Sequence, residues 1–167
     1  MKESYTVLLQ RDLCKGQAFA GAGKQVGSSA SYGPEVRGGC TRSEVIVSDE
    51  MIVYPRVMSP NILMALSQEA YDRVCDVVPA EGLILYKSDA VTADLELDAA
   101  QRAVPALGAA ADLGDAGSAN MVMRGAVAAG AGLIDLDALT RALPDSRRAA
   151  NAAALVRGFA LGLAAPT

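Results

Sequence analysis

Apolar positions in the middle of the chain fall in short uninterrupted runs, whereas those of the last third lie at helical spacing among alanine and glycine. ILMAL (62–66) is a continuous apolar run placed just before Ser67. Such a run reads as a strand buried on both faces, with a helix as the other option. Ser67 then opens SQEAYDRVCDVV, where Ala70, Val74 and Val77 recur at helical spacing behind an N-cap serine, and Glu69 adds a favourable charge to the first turn. Gly82 interrupts the pattern before LILYK (83–87), a second buried strand. Strand, helix and strand in this order make a βαβ unit. A unit of that kind joins parallel strands and assigns the chain to the α/β class.

On either side the pattern is less regular. Residues 21–43 are rich in glycine and serine and predict one long loop, or two joined. EVIVSD (44–49) and MIVY (51–54) are β-branched runs flanking Asp49-Glu50, which predicts a hairpin with a tight turn. Beyond Asp89 the spacing predicts a loop, a short strand and a short helix, with Pro105 starting or interrupting a segment. From Ser118, SANMVMRGAVAAGAG predicts a helix whose small residues let neighbouring backbones approach closely. Asp135 and Asp145 stand where N-caps are wanted for LDALTRAL and for SRRAANAAALVRGFALGL. No long period recurs, which excludes a solenoid.

Composition narrows the class. The chain has 167 residues, which predicts a single domain over 1–167. It is 51% hydrophobic but only 4% aromatic, so its core is aliphatic and close-packed. Fifteen Lys and Arg against nineteen Asp and Glu leave a net charge of -4, which offers no attraction to nucleic acid or anionic membrane. The opening MKESYTVLLQRDLCKG lacks the apolar stretch of a signal peptide, and AVAAGAGLI (126–134) is too short to cross a bilayer. Cys14, Cys40 and Cys75 are odd in number and widely spaced, indicating neither a disulfide framework nor a CxxC site. These features together predict a soluble, cytoplasmic protein.

Apparent cofactor signatures fail on their spacing. AGAGK (20–24) lacks the P-loop's first glycine, Ala18 standing there, and has Gln25 where Ser or Thr would bind magnesium. As a dinucleotide loop it needs a glycine at Val26 and has it at Gly27. GDAGSAN (114–120) misses a thiamine-diphosphate motif at Ala116. With no histidine there is no Ser-His-Asp triad, Cys-His pair or histidine metal cluster. Carboxylate-pair chemistry stays open at Asp49-Glu50 and at Asp135 with Asp137, but turn and N-cap roles account for both. No catalytic residue and no metal ligand is assigned. There remains SYGPEVRGGCTRSEVIVSDE (31–50): a Gly33-Pro34 turn, Glu35 and Arg37 two residues apart, and Gly38-Gly39 leaving main-chain amides unshielded. Such a loop suits an anionic group or a partner, or is a solvated turn with a surface ion pair.

This stretch resembles the gamma subunits of 2-oxoacid:ferredoxin oxidoreductases, in which SYGPE-x-RGG is followed by a short gap, a Ser, a β-branched strand and SDE. Here the matching residues are Ser31, Tyr32, Gly33, Pro34, Glu35, Arg37, Gly38, Gly39, Ser43 and Ser48-Asp49-Glu50. The likeness continues through YPRV (54–57), P-x-x-L-x-A-L-S-Q-E-A (60–70) and NMVM-x-GA (120–126), covering about Gly23 to Ala126. Within the family the Tyr-Pro and Leu-Ser-Gln-Glu-Ala segments are most similar to the 2-oxoglutarate enzyme, with pyruvate and branched-chain enzymes close behind.

The resemblance implies a three-layer α/β/α domain that binds no cofactor alone. Partner alpha and beta subunits, with or without a delta subunit, would hold thiamine diphosphate, magnesium and 4Fe-4S clusters, decarboxylate the 2-oxo acid, reduce ferredoxin and pass the acyl group to coenzyme A (CoA). This chain's share would be to complete the assembly and wall the CoA or substrate channel. Tyr32, Gly33, Pro34, Glu35, Arg37, Gly38 and Gly39 would form that wall, with Arg37 supplying positive charge and the glycines close backbone approach.

The family opens with a strand and a G-x-G-G-Q-G turn, which nothing before Gly16 supplies. QRDLCKGQAFAGAGKQV then corresponds to the helix after that turn, and the first strand is absent, shortened or replaced by MKESYTVLL. Either the chain begins past the turn or this member has lost a phosphate-friendly loop. Both imply an exposed sheet edge or a core gap for a partner to cover. Rival readings are a noncatalytic structural or regulatory module of the same fold and a dinucleotide-binding enzyme built on Gly21 to Gly27.

Overall fold

The computed structural model describes residues 3–7, 25–32, 41–48, 51–53, 57, 59–132 and 135–163. Six described strands form one sheet: β1 (Glu3–Val7), β2 (Gln25–Tyr32), β3 (Thr41–Ser48), β4 (Ile62–Ala65), β5 (Leu83–Lys87) and β6 (Ala100–Val104), in the order β2-β3-β1-β4-β5-β6. β1, β4, β5 and β6 run parallel, and β3 is antiparallel to both β1 and β2. β2 therefore points the same way as the parallel set.

The βαβ unit is where the apolar runs placed it. Leu63, Met64 and Ala65 are fully buried in β4, as are Ile84 and Leu85 in β5. Between them runs α1 (Gln68–Asp72), capped by Ser67, whose Oγ accepts from the Ala70 N–H at 3.3 Å. The helix is shorter than the spacing predicts. It gives way to a 3-10 turn at Cys75–Val77, and Val77, expected on the buried face, is half exposed. Pro105 starts a segment: α2 (Ala106–Asp112) follows it, and the Asp89 carboxylate accepts from the Leu107 N–H at 2.7 Å. α3 (Ala119–Ala131) ends on Gly132 at φ +62°, a left-handed residue that suits glycine. Asp135 caps α4 (Leu136–Arg141) as expected, its carboxylate accepting from the Asp137 N–H. α5 (Arg148–Leu163) is the last described element.

The layers follow from the register. Val45, Val47, Ile62, Met64, Leu85 and Val104 face α2 to α5, while Leu63, Ala65 and Ile84 face α1 and the segment around Val91 and Ala99. Buried residues run without a break from Val122 to Ala128, because α3 lies between the sheet and α5. Glycines set that contact: a Cβ at Gly125 would come within 2.1 Å of the Leu155 carbonyl oxygen, and one at Gly162 within 2.4 Å of the Ala126 oxygen. NMVM-x-GA is thus in part a packing motif.

Four expectations need correction. Residues 25–32 are strand rather than loop. Although rich in serine and glycine, they form an edge that pairs with β3 along its whole length. The hairpin of 44–49 with 51–54 is absent: β1 and β2 occupy both edges of β3, and Met51 and Val53 lie outside the described strands, exposed. Asp145 does not cap α5. The helix starts three residues later after Arg147 at φ +56°, and the Asp145 carboxylate pairs with Arg148 at 3.0 Å. Finally, Glu3–Val7 fills the first-strand slot at the sheet's centre, so the expected open edge does not fall there. The helix expected over QRDLCKGQAFAGAGKQV lies outside the described residues, except that Gln25 and Val26 belong to β2.

Candidate functional site

The topology fixes where the candidate loop emerges. Tyr32, the last residue of β2, pairs with Thr41, the first of β3, so residues 33–40 join two paired strands. Because β2 points the same way as β1, β4, β5 and β6, this connection leaves at the carboxyl end of the parallel strands. That end is where open α/β sheets take their ligands, at the point where strand order reverses. Here the reversal is at β1, with β2 and β3 on one side and β4 to β6 on the other. Of the seven candidate residues, the backbone of Tyr32 is described. Gly33, Pro34, Glu35, Arg37, Gly38 and Gly39 lie outside the described residues. So does Asp49-Glu50.

The foot of this hairpin holds a polar cluster that sequence reasoning did not single out. Glu44 on β3 is only 9% exposed. Its carboxylate accepts from the Ser29 hydroxyl at 3.0 Å and from the Val57 N–H at 3.3 Å, and pairs with the Arg42 guanidinium at 2.7 Å. Ser29 lies directly opposite Glu44 on β2, and Arg42 two residues before it on β3, so these side chains share one sheet face. In backbone register the row continues across β1 at Thr6 to Leu63, Ile84 and Gln101 on β4, β5 and β6. A carboxylate at the head of Val45-Ile46-Val47, buried on both faces, was the available signal, since a buried charge needs partners.

A second polar cluster lies on the same face. The Tyr71 hydroxyl donates to Gln101 Oε1 at 2.7 Å and accepts from the Asp94 N–H at 2.9 Å, with the ring set edge-on to Tyr86. Gln68 Oε1 accepts from the Thr92 N–H at 2.7 Å, and Gln68 Nε2 donates to the Thr92 carbonyl at 3.2 Å. The Gln-Glu-Ala-Tyr segment thus clamps the 92–94 backbone. Burial pushes the Tyr71 hydroxyl above its ordinary pKa. Burial, and then the Asp76 charge, push the Cys75 thiol up likewise, which makes it a poor nucleophile. Among the described residues no three His, Cys, Asp or Glu side chains are grouped to hold a metal. No described helix is long and apolar enough to cross a membrane. Gly27 sits inside β2 opposite Ile46, which removes the last glycine from any dinucleotide turn.

Comparison with known proteins places this arrangement. Residues 13–161 match the pyruvate ferredoxin/flavodoxin oxidoreductase family. The 2-oxoglutarate synthase subunit KorC of Methanocaldococcus jannaschii is 36% identical over 126 residues, 74% of this chain and 67% of that protein. The ketoisovalerate oxidoreductase subunit VorA of Methanothermobacter thermautotrophicus is 38% identical over 131 residues, 78% of this chain but 27% of its own length. The chain spans about two thirds of the length of the 2-oxoglutarate synthase relatives. Among solved structures, the gamma subunit of a keto/oxoacid ferredoxin oxidoreductase from Geobacter sulfurreducens superposes with a TM-score of 0.87 at 28% identity, covering 100% of this chain and 99% of that one. A 2-oxoglutarate:ferredoxin oxidoreductase from Magnetococcus marinus, with 2-oxoglutarate, coenzyme A and succinyl-CoA bound, gives a TM-score of 0.84 over 99% of this chain and 33% of that one. At 19% identity it establishes the fold alone.

Proposed function

The chain belongs to the pyruvate ferredoxin/flavodoxin oxidoreductase family, and from that premise we propose that it is the gamma-type subunit of a CoA-dependent 2-oxoacid:ferredoxin oxidoreductase acting on 2-oxoglutarate. The observation that carries this reading is the SYGPE-x-RGG connection, which joins β2 and β3 at the carboxyl end of the parallel strands. In this reading the chain is one domain, cytoplasmic, and active only within a complex of alpha and beta subunits, with or without a delta subunit. Ferredoxin is reached through that complex.

Thiamine diphosphate, magnesium and 4Fe-4S clusters belong to the partners. The described residues do not fit a cluster or a metal, since Cys75 is buried and no three ligands converge. CoA is a substrate whose thiol receives the acyl group. The role of this chain toward it is to bind and orient. Amides of Gly33, Gly38 and Gly39 and the Arg37 guanidinium offer donors to a phosphate, as glycine-rich anion loops do. Tyr32, Pro34 and Glu35 shape the same wall, and the chain itself carries out no bond-making step.

The test is anaerobic isolation of the complex through a tag on this chain, followed by 2-oxoacid-dependent ferredoxin reduction. Co-isolation of a thiamine- and iron-sulfur-containing partner, with CoA-dependent turnover fastest on 2-oxoglutarate, is expected. Arg37→Ala raises the KM for CoA. A lone chain that restores no activity to any such partner refutes the reading.

A further inference from the structure

We propose that the outer face of α5 is a docking surface for a helix of another subunit, a helix with an apolar seam of its own and a carboxylate that meets Arg157. The inference rests on the reading of this chain as one subunit of a 2-oxoacid:ferredoxin oxidoreductase. α5 packs on α3 from outside and turns Ala154, Leu155, Gly158 and Gly162 inward. A helix in that outermost position ordinarily carries charged residues on its far side. α5 does not. Opposite its buried residues stand Ala149, Ala153, Val156, Ala160 and Leu163, all exposed, Val156 at 52% and Leu163 at 66%.

Their spacing says what kind of partner fits. Intervals of four, three, four and three residues are those of a coiled-coil seam, which keeps one row of apolar side chains toward a second helix. The alanines let that helix come close, and Val156 and Leu163, one heptad apart, supply the knobs. Charge narrows the partner further. α5 holds no Asp or Glu, and its two charged residues are Arg148 and Arg157. Arg148 is engaged by Asp145 at 3.0 Å. Arg157, next to the middle of the seam, is exposed and has no ion-pair partner among the described residues. A carboxylate on the incoming helix answers it.

A second copy of α5 does not meet these requirements. Two copies packed about a two-fold axis at Val156 set Arg157 beside Arg157, and neither brings an acid. The seam is about 21 Å long and one helix wide. Alone it buries on the order of a few hundred Å² per side, short of the roughly 1,200 Å² in total that stable complexes reach, so it serves as one contact within a larger interface. In the longer relatives the same domain is a minor part of one chain, so there is polypeptide beyond this fold to cover such a face.

The test uses the complex isolated through the tag on this chain. Val156→Asp and Arg157→Glu each lower the recovery of the thiamine- and iron-sulfur-containing partner by about tenfold or more. The first buries a carboxylate in the seam, and the second sets like charges together. Both sites are exposed in the free chain, so its circular dichroism and urea midpoint stay at the parent's values. Arg157→Lys keeps the charge and gives a carbodiimide an amine to couple. The expected product joins position 157 to an Asp or Glu of the partner, which mass spectrometry locates on a helix. Where Val156→Asp does not fold, that cross-link decides. Recovery of the partner by both variants at the parent's level overturns the proposal. So does a cross-link from position 157 to a second copy of this chain, or no cross-link at all. If the parent chain itself brings down no such partner, the subunit reading falls and the proposal with it, whereas variants that assemble as well as an assembling parent sink the proposal alone.

Discussion

Gly158→Ala places the α3–α5 contact under a direct test. A Cβ built at Gly158 lies 1.9 Å from the Val122 carbonyl oxygen, 2.6 Å from its carbonyl carbon and 2.8 Å from its Cα. These are backbone atoms of another helix, so no rotamer change relieves the overlap. To reach even 3.0 Å, the limit below which real Cβ contacts essentially never fall, the helices must part by roughly 1 Å along that line. Parting them also loosens the close approaches at Gly125 and Gly162. Against this, alanine is favoured over glycine in a helix interior by about 1 kcal/mol. Over-packing a core costs about 1–3 kcal/mol, and separating an interface built on bare backbone falls at the top of that range. The expected net loss is about 2 kcal/mol, or about 4–8 °C in Tm for a chain of this length. Gly108→Ala is the control. It lies inside α2, exposed, with nothing within 4 Å of its Cβ, so the same substitution stabilises by up to about 1 kcal/mol. Paired urea titrations followed by circular dichroism measure both. A Gly158→Ala chain as stable as the parent would refute the backbone-contact account of α3 against α5.

The remaining expectations use the same chain. Tyr71 and Cys75 both have raised pKa values in the fold, so their contribution to stability is complete below the ordinary thiol and phenol values and is lost as pH rises through the raised ones. Denaturation midpoints measured from neutral pH to beyond pH 10 should fall over that alkaline range, and a flat profile would count against it. Tyr71→Phe leaves Gln101 Oε1 and the Asp94 N–H without their partner and costs about 1–3 kcal/mol, read in the same titration. The Cys75 thiol reacts with a maleimide far more slowly in the folded chain than in urea near neutral pH. Peptide mapping locates the label. Ser67→Ala removes the α1 cap and lowers stability by about 1 kcal/mol, with Ser67→Asp recovering most of it.

The amino-acid order alone determined what depends on local pattern. Leu83–Lys87 and Ile62–Ala65 are strands because continuous apolar runs that short bury both faces at once. Ser67 begins a helix because its hydroxyl meets an orphan amide, and Pro105 precedes one because its fixed φ is compatible with a helix start. The family, too, was legible, in a long ordered set of matches from SYGPE-x-RGG to NMVM-x-GA. The candidate loop was visible as a motif, but its placement at the carboxyl end of the parallel strands became clear only from the direction of β2.

Tertiary structure decided the rest. Gln25–Tyr32 has the composition of a loop and becomes a strand because β3 offers it a full ladder, and pairing outweighs weak propensity. Met51 and Val53 have partly the composition of a strand and remain outside the sheet, because a strand has two edges and β1 and β2 already occupy those of β3. Asp145 has the chemistry of a cap, but the chain turns left-handed at Arg147 before α5 begins, and its carboxylate meets a side chain instead. Glu44 looks in sequence like a surface charge beside a strand. Arg42 is a local partner two residues before it, but Ser29 on β2 and the Val57 N–H lie 15 and 13 residues away, and no local spacing encodes a contact between segments that only folding brings together.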